Sequence, residues 1–267
     1  MKYDVIVVGA GAAGAAAAVR ASEDPSLNVL LLEAGPYYAA ESQMPDDLLN
    51  GNNNSYTAHD WGFVAEANTT GRATPFPRGR VVGGSSAVNT AIALRGVPED
   101  YDEWAALGND EWAWENVLPY FRRLETDLDF DDDFHGRNGP VPIRRHREDE
   151  LTPVQSAFMG AMRALGYPET NDNNDPRSTG LGAHPMNKRG RTRMSVALCY
   201  VEPARHRLNL TIRGDCLTHR VLFDGSRATA VEVECGGSTQ TVEGDRIVLA
   251  SGAIGSPAIL MRSGIGP

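Results

Sequence analysis

Three glycines and one acid carry the clearest chemistry in this chain. Gly9-x-Gly11-x-x-Gly14 follows the apolar run Tyr3 to Val8 and precedes the alanine-rich stretch Ala15 to Ala21. Glycines at that spacing permit a tight strand-to-helix turn and let the backbone close on a pyrophosphate. The helix start then offers free N–H groups and the positive end of a dipole. Glu33 stands at the end of a second apolar strand, Asn28 to Leu32. A carboxylate there accepts hydrogen bonds from both ribose hydroxyls of an adenosine and disfavours a 2′-phosphate. The pattern reads as dinucleotide binding, with NADP disfavoured and both FAD and NAD left open.

A second glycine-rich run, Gly79 to Gly96, reads GRVVGGSSAVNTAIALRG. Small residues set between Val81-Val82 and Ala91 to Leu94 suggest a backbone cradle for a bulky flat or phosphorylated group, because a residue without Cβ lets main chain approach a ligand closely.

These motifs need elements to hold them. Tyr3–Val8, a helix over Ala15–Ala21 and Asn28–Leu32 form a βαβ start with a parallel strand pair. Residues 36–78 read as a long excursion with short elements. Residues 98–125 carry helix-spaced apolar positions, and Asp127–Asp133 reads as an acidic turn. Thr152–Leu165 is amphipathic, with Thr152 as N-cap and Pro153 at the first helical position. From Leu208 the period changes to two: Leu208–Arg213, Leu217–Phe223, Ala228–Cys235 and Thr239–Val242 read as a strand and a meander, with Asp224-Gly225 as a hairpin turn. Arg246–Ala250 is one more buried strand. A helix is expected over Ser256–Arg262, with Ser256 as cap.

The 267 residues are 41% hydrophobic and 22% charged, with a formal net charge of −10. That balance suits a soluble globular protein and argues against nucleic acid or an anionic membrane as partner. The arginine groups Arg72–Arg80, Arg144–Arg147 and Arg189–Arg193 are expected on solvated faces. Cys199, Cys216 and Cys235 are odd in number and widely spaced, so buried inert thiols are expected, with neither a disulfide framework nor a metal site. No apolar run reaches membrane-spanning length and no signal peptide is evident, which points to a cytoplasmic protein.

Taken together, the motifs resemble the glucose-methanol-choline (GMC) oxidoreductases from Tyr3 to Pro267. The resemblance rests on GAGAAG with Glu33-Ala34-Gly35. It rests also on Gly79-Arg80 through Gly83-Gly84-Ser85-Ser86, Asn89, Ala93 and Gly96, and on Gly252 through Ser256-Pro257 to Gly266. Looser matches include His59-Asp60-Trp61-Gly62-Phe63 and Phe134-His-Gly136. The resemblance implies an α/β fold: an FAD-binding Rossmann-like domain, with parallel sheet plus β-meander, over 1–150 and 205–267, and part of a substrate-binding domain over 151–204. It implies noncovalent FAD. Gly9, Gly11, Ala12, Ala13 and Gly14 would wrap the pyrophosphate, with Glu33 and Ala34 on the adenosine ribose. Thr218, Ala250 and Gly252 would line the adenine and ribose side. Trp61, Arg80, Gly83, Gly84, Ser85, Asn89, Thr90, Ala91 and Ile92 would lie along the pyrophosphate and isoalloxazine. Some members tether the flavin through a histidine in the cradle; Val88 occupies that position and has no nucleophile.

The implied activity is hydride transfer from an alcohol to flavin N5, giving an aldehyde, ketone or lactone, with O₂ or another electron acceptor. Members are longer, and their His-His or His-Asn catalytic pair lies near the C-terminal end. None of His59, His135, His146, His184, His206 and His219 falls in such a segment, so structural or surface roles are expected for all six. The chain therefore reads as the FAD-binding half, without catalytic residues, needing a complementary C-terminal polypeptide to turn over. A flavin-containing lyase or photodecarboxylase of the same fold, or a non-catalytic FAD-binding fragment, are the alternatives.

Overall fold

The structure, a computed structural model, describes residues 2–66 and 69–267. By mutual contact the chain divides into two units. One runs to Thr90 and resumes with Arg193–Pro267; the other is Ala91–Thr192.

The first unit is built on a six-stranded sheet: β1 (Tyr3–Val8), β2 (Val29–Leu32), β3 (Leu210–Arg213), β4 (Cys216–Asp224), β5 (Arg227–Cys235) and β6 (Ser238–Leu249), in spatial order β3-β2-β1-β6-β5-β4. β3, β2, β1 and the second half of β6 are parallel, with Val5 opposite both Val29 and Arg246. β4, β5 and the first half of β6 form the antiparallel meander. β2 is wholly apolar and wholly buried, as expected of a parallel strand covered on both faces. Ile6, Val8, Leu30 and Leu32 share one face and meet Val221, Val231 and Val233 in a single core. Helix α1 (Ala12–Ala21) connects β1 to β2 and buries Gly14, Ala15, Ala18 and Val19.

Several expectations are corrected here. Thr239–Val242 and all but the last residue of Arg246–Ala250 belong to one strand, β6, which ends at Leu249. Glu243, Gly244 and Asp245 look like a loop in sequence, but β6 changes partner there, from β5 to β1, without breaking. The last helix spans Gly252–Arg262, with Ser251 at its N-cap and Pro257 inside it. The Ser256 hydroxyl, expected to cap, accepts from the Ser251 N–H at 3.0 Å. Pro257 sits in the second turn, where its missing N–H forgoes one helical bond without ending the helix.

The cysteines are not all thiols. Cys216 and Cys235 face each other across β4 and β5 with Cα atoms 4.4 Å apart and form a disulfide. Strand register creates that pair, and sequence spacing does not reveal register. Cys199 is a buried thiol within 3.4 Å of the Met194 carbonyl. Nor are the arginine groups all solvated: Arg193 is fully buried and Arg145 nearly so.

The second unit carries helices Pro98–Ala106, Trp114–Leu124 and Pro153–Ala164. Thr152 caps the last of these in a reciprocal pair with Gln155. A small sheet joins Glu125–Asp127, Val141–Arg145 and Pro185–Met186. Asp127, expected to open an acidic turn, instead ends a strand and is buried. Arg145 donates to both its oxygens, at 2.8 and 2.6 Å, and to Asp172 at 2.5 Å. His135 places Nδ1 2.8 Å from Asp132 and Nε2 3.2 Å from Asp172. Burial disfavours its charged form, but bonding to Asp172 and Asp132 and the charge of Asp127 outweigh this and raise its pKa. Burial likewise works to raise the Asp172 carboxyl, yet His135, the Asn174 N–H and Arg145 hold it at about 2. Among the described residues, no helix is long and apolar enough to cross a membrane.

Cys216 and Cys235 are 19 residues apart, and cross-linking a loop of that length restricts the unfolded chain by roughly 3 kcal/mol. Reduction with a phosphine, or the Cys216→Ser/Cys235→Ser double variant, is expected to lower the thermal midpoint in calorimetry. An unchanged midpoint would show that the bond contributes nothing.

Candidate functional site

The two glycine runs, some 70 residues apart in sequence, touch main chain to main chain. The Gly83 N–H donates to the Ala10 carbonyl at 2.8 Å. Gly84 has φ +52°, and a Cβ built on it would lie 2.6 Å from the Gly11 Cα. On the other side, Gly9 has φ +98°, and its Cβ would lie 2.6 Å from the Ala250 carbonyl oxygen. Any side chain at either position would force these segments apart.

A cleft of about 730 Å³ lies over this contact, within the first unit. Gly9, Gly11, Ala12, Ala13, Glu33, Ala34, Trp61, Gly84, Ser85, Thr218, Ala250 and Gly252 line it. Gly14 is buried in α1. Gly83 is buried beside Gly84, and the Arg80 guanidinium lies 5.1 Å from the centre of the Trp61 ring. Asn89 and Thr90 are exposed at the end of the first unit and do not line the cleft. Ala91 and Ile92 open the second unit, where Ile92 bridges to Met186.

Two helices start at this cleft. α1 begins at Ala12 after Gly11, and Gly252–Arg262 begins after Ser251. The first-turn N–H groups of a helix have no partner within it, and the dipole adds positive potential there. The charges of Arg78 and Arg262 stand on the same lining. Both features suit an anion such as a pyrophosphate. Ser256-Pro257 obscures the second helix start in the sequence, and no local signal there picks out Ala253, Ile254, Phe63, Arg78 or Arg262 as lining residues. Only the Gly252–Gly266 signature marked that region.

Glu33 closes one end. Its Oε2 accepts from the Ala10 N–H at 2.9 Å and its Oε1 from the Gly35 N–H at 3.0 Å. These bonds fix the carboxylate against the turn carrying Gly9 and Gly11. Burial pushes the carboxyl up to about 7, against the lowering pull of the Ala10, Gly35 and Ala34 N–H groups and Arg80. Thr218 stands on the same lining. Its hydroxyl is buried on the cleft lining without a hydrogen-bond partner, at a register shift between Thr218 and Arg220 that re-aims the strand.

In the second unit, the ligand atoms of Glu125, Asp127 and His135 lie within 4.8 Å of one another, the one such group among the described residues. Arg95 holds Glu125 at 2.6 Å and Arg145 holds Asp127, so these carboxylates serve an ion network.

A family model described as GMC oxidoreductase matches residues 3–267. The chain belongs to the GMC oxidoreductases. It is 39% identical over 267 residues to an oxygen-dependent choline dehydrogenase of Photobacterium profundum, covering 99% of this chain and 47% of that protein. It is 37% identical over 274 residues to a pyridoxine 4-oxidase of Microbacterium luteolum, covering 99% and 52%. The crystal structure of pyridoxine 4-oxidase from Mesorbium loti superposes with a TM-score of 0.91 at 36% identity, over 99% of this chain and 52% of that one. An FAD-dependent oxidoreductase from Chaetomium thermophilum gives 0.90 at 31%, over 99% and 48%. The chain thus spans about half the length of the curated relatives it matches.

A carboxyl whose pKa is raised by folding binds its proton more tightly in the native state. Its contribution to stability is therefore fully present at and below the ordinary carboxyl range and is lost as pH rises through the folded value. Stability without ligand is expected to fall by on the order of 3 kcal/mol between about pH 4.5 and 7, and Glu33→Gln should remove that fall. Urea denaturation at several pH values measures it; identical slopes in the two proteins would contradict the assignment.

Proposed function

We propose that this chain is the FAD-binding half of an oxidoreductase acting on CH–OH groups. The observation that carries the reading is the contact of Gly84 on Gly11 and Gly83 on Ala10, which joins two glycine runs into one wall beneath a cleft served by two helix starts. The named relatives, a choline dehydrogenase and pyridoxine 4-oxidases, support it. Bound FAD would supply hydride acceptance from the alcohol carbon.

The chain's own residues bind and orient. The Gly11, Ala12 and Ala13 backbone and the Gly252 helix start would hold the pyrophosphate. Glu33 would accept from the ribose, and Thr218 would offer its backbone on the adenine side. Trp61, Arg80, Gly83, Gly84, Ser85, Asn89, Thr90, Ala91 and Ile92 are proposed along the pyrophosphate and ring. In this reading residues 1–150 and 205–267 serve the cofactor, and 151–204 begin the substrate-binding part; the compact units divide the chain elsewhere, after Thr90 and Thr192.

A small alcohol is the proposed substrate, and O₂ or another oxidant the acceptor. The proton-abstracting pair is proposed in a complementary C-terminal polypeptide. The proposed setting is cytoplasmic, where the Cys216–Cys235 bond would face reducing conditions.

The chain is expected to bind FAD yet show no alcohol-dependent bleaching under anaerobic conditions on its own. Val88 is buried and lacks a nucleophile, so acid precipitation should leave the flavin in the supernatant. Flavin absorbance in the washed pellet would contradict the noncovalent reading, and failure to bind FAD would overturn the function.

A further inference from the structure

Arg193 is fully buried, and every hydrogen bond it is seen to make goes to a main-chain carbonyl. Nε donates to Asn89 at 2.7 Å. One terminal nitrogen reaches Asp47 at 3.0 Å, Leu48 at 2.5 Å and Ala87 at 2.7 Å. The other reaches Asn50 at 3.0 Å, and Asn53. The guanidinium thus ties two stretches lacking long regular elements, 47–53 and 87–89, into one block.

The bonds to 87–89 have a direction. Ala87 and Asn89 turn their carbonyls to Arg193, and the Val88 carbonyl between them accepts from the Ser55 N–H at 3.0 Å. Three successive carbonyls therefore point into the protein. The Val88 and Asn89 N–H groups close back on the Ser85 carbonyl, at 3.3 and 3.1 Å. The turn Gly84–Ala87, which rests on Gly11, is thereby pinned from behind, while Ser85 faces the cleft. Only a guanidinium offers five N–H donors in a fixed planar fork; an ammonium offers three from a point.

We propose that Arg193 is a positioning residue for the flavin-facing wall: it holds Gly84–Asn89 in the shape that accepts the isoalloxazine ring, and does not serve the adenosine end. The proposal rests on the FAD reading above.

The 267-residue chain, with Arg193→Lys beside it, is titrated with FAD and, separately, with ADP, which probes the Glu33 end and the Gly11 turn without an isoalloxazine ring. Arg193→Lys is expected to weaken FAD by at least about tenfold, the scale of losing one buried hydrogen bond. It should leave ADP affinity within about threefold and alter the visible circular dichroism of whatever flavin binds. A folded Arg193→Lys chain that keeps FAD within threefold, or loses FAD and ADP equally, overturns the proposal. A measurement on the unaltered chain stands beside this should the variant not fold. In the ligand-free protein the Val88 and Asn89 amides are expected to exchange hydrogen at least about 100-fold slower than in an unstructured chain. Exchange at the unstructured rate overturns the proposal as well. If the unaltered chain binds ADP but not FAD, the cofactor reading fails and takes the proposal with it, an outcome distinct from a loss confined to Arg193→Lys.

Discussion

The contact between the Gly11 turn and the Gly84 turn is the constraint on which the other parts depend. Two segments far apart in sequence meet with no side chain between them, and the Gly83–Ala10 hydrogen bond fixes their register. Because the contact is main chain on main chain, only residue type limits it: any Cβ on Gly84 strikes Gly11. The cleft follows from it. The β1–α1 turn forms the floor, the returning loop forms a wall, and the start of Gly252–Arg262 closes in beside Gly9 through Ala250.

Long irregular segments must satisfy their backbone polar groups without helix or strand ladders. Here buried ionic side chains do much of that. The five N–H groups of Arg193 reach six carbonyls, one hydrogen being shared, two of them on the cradle and four on the excursion near Leu48. In the second unit, Arg145, Asp127, Asp172 and His135 form a buried ion network around the short strands Glu125–Asp127 and Val141–Arg145. Removing one member of such a set leaves another buried charge unpaired, which costs more than the pair itself contributes.

The parts of the fold legible in sequence were those with one strong local signal. Tyr3–Val8 is recognisable as a short, mostly apolar run, Pro153–Ala164 by its Thr152 cap, and the meander by its period of two. Glu33 and the glycines of the first turn stood out by spacing, and most of them line the cleft. What was illegible depends on where chain segments meet. β6 does not read as one strand because its polar middle resembles a loop until both neighbours are known. Ser256-Pro257 imitates a helix start, though the helix already begins at Gly252. Arg145 and Arg193 have no sequence mark distinguishing them from solvated arginines, since their partners are distant carboxylates and carbonyls. The Cys216–Cys235 bond exists only through strand register, and the orphan hydroxyl of Thr218 only through a register shift.

The most direct measurement is FAD affinity of Gly84→Ala, read by flavin fluorescence quenching, with far-ultraviolet circular dichroism confirming the fold. One added methyl group meets the Gly11 Cα at 2.6 Å, so the account predicts a folded chain whose FAD binding is weakened at least about 100-fold, or on the order of 3 kcal/mol. A folded Gly84→Ala chain that binds FAD like the unaltered protein would contradict the claim that the two glycine runs together form the cofactor wall.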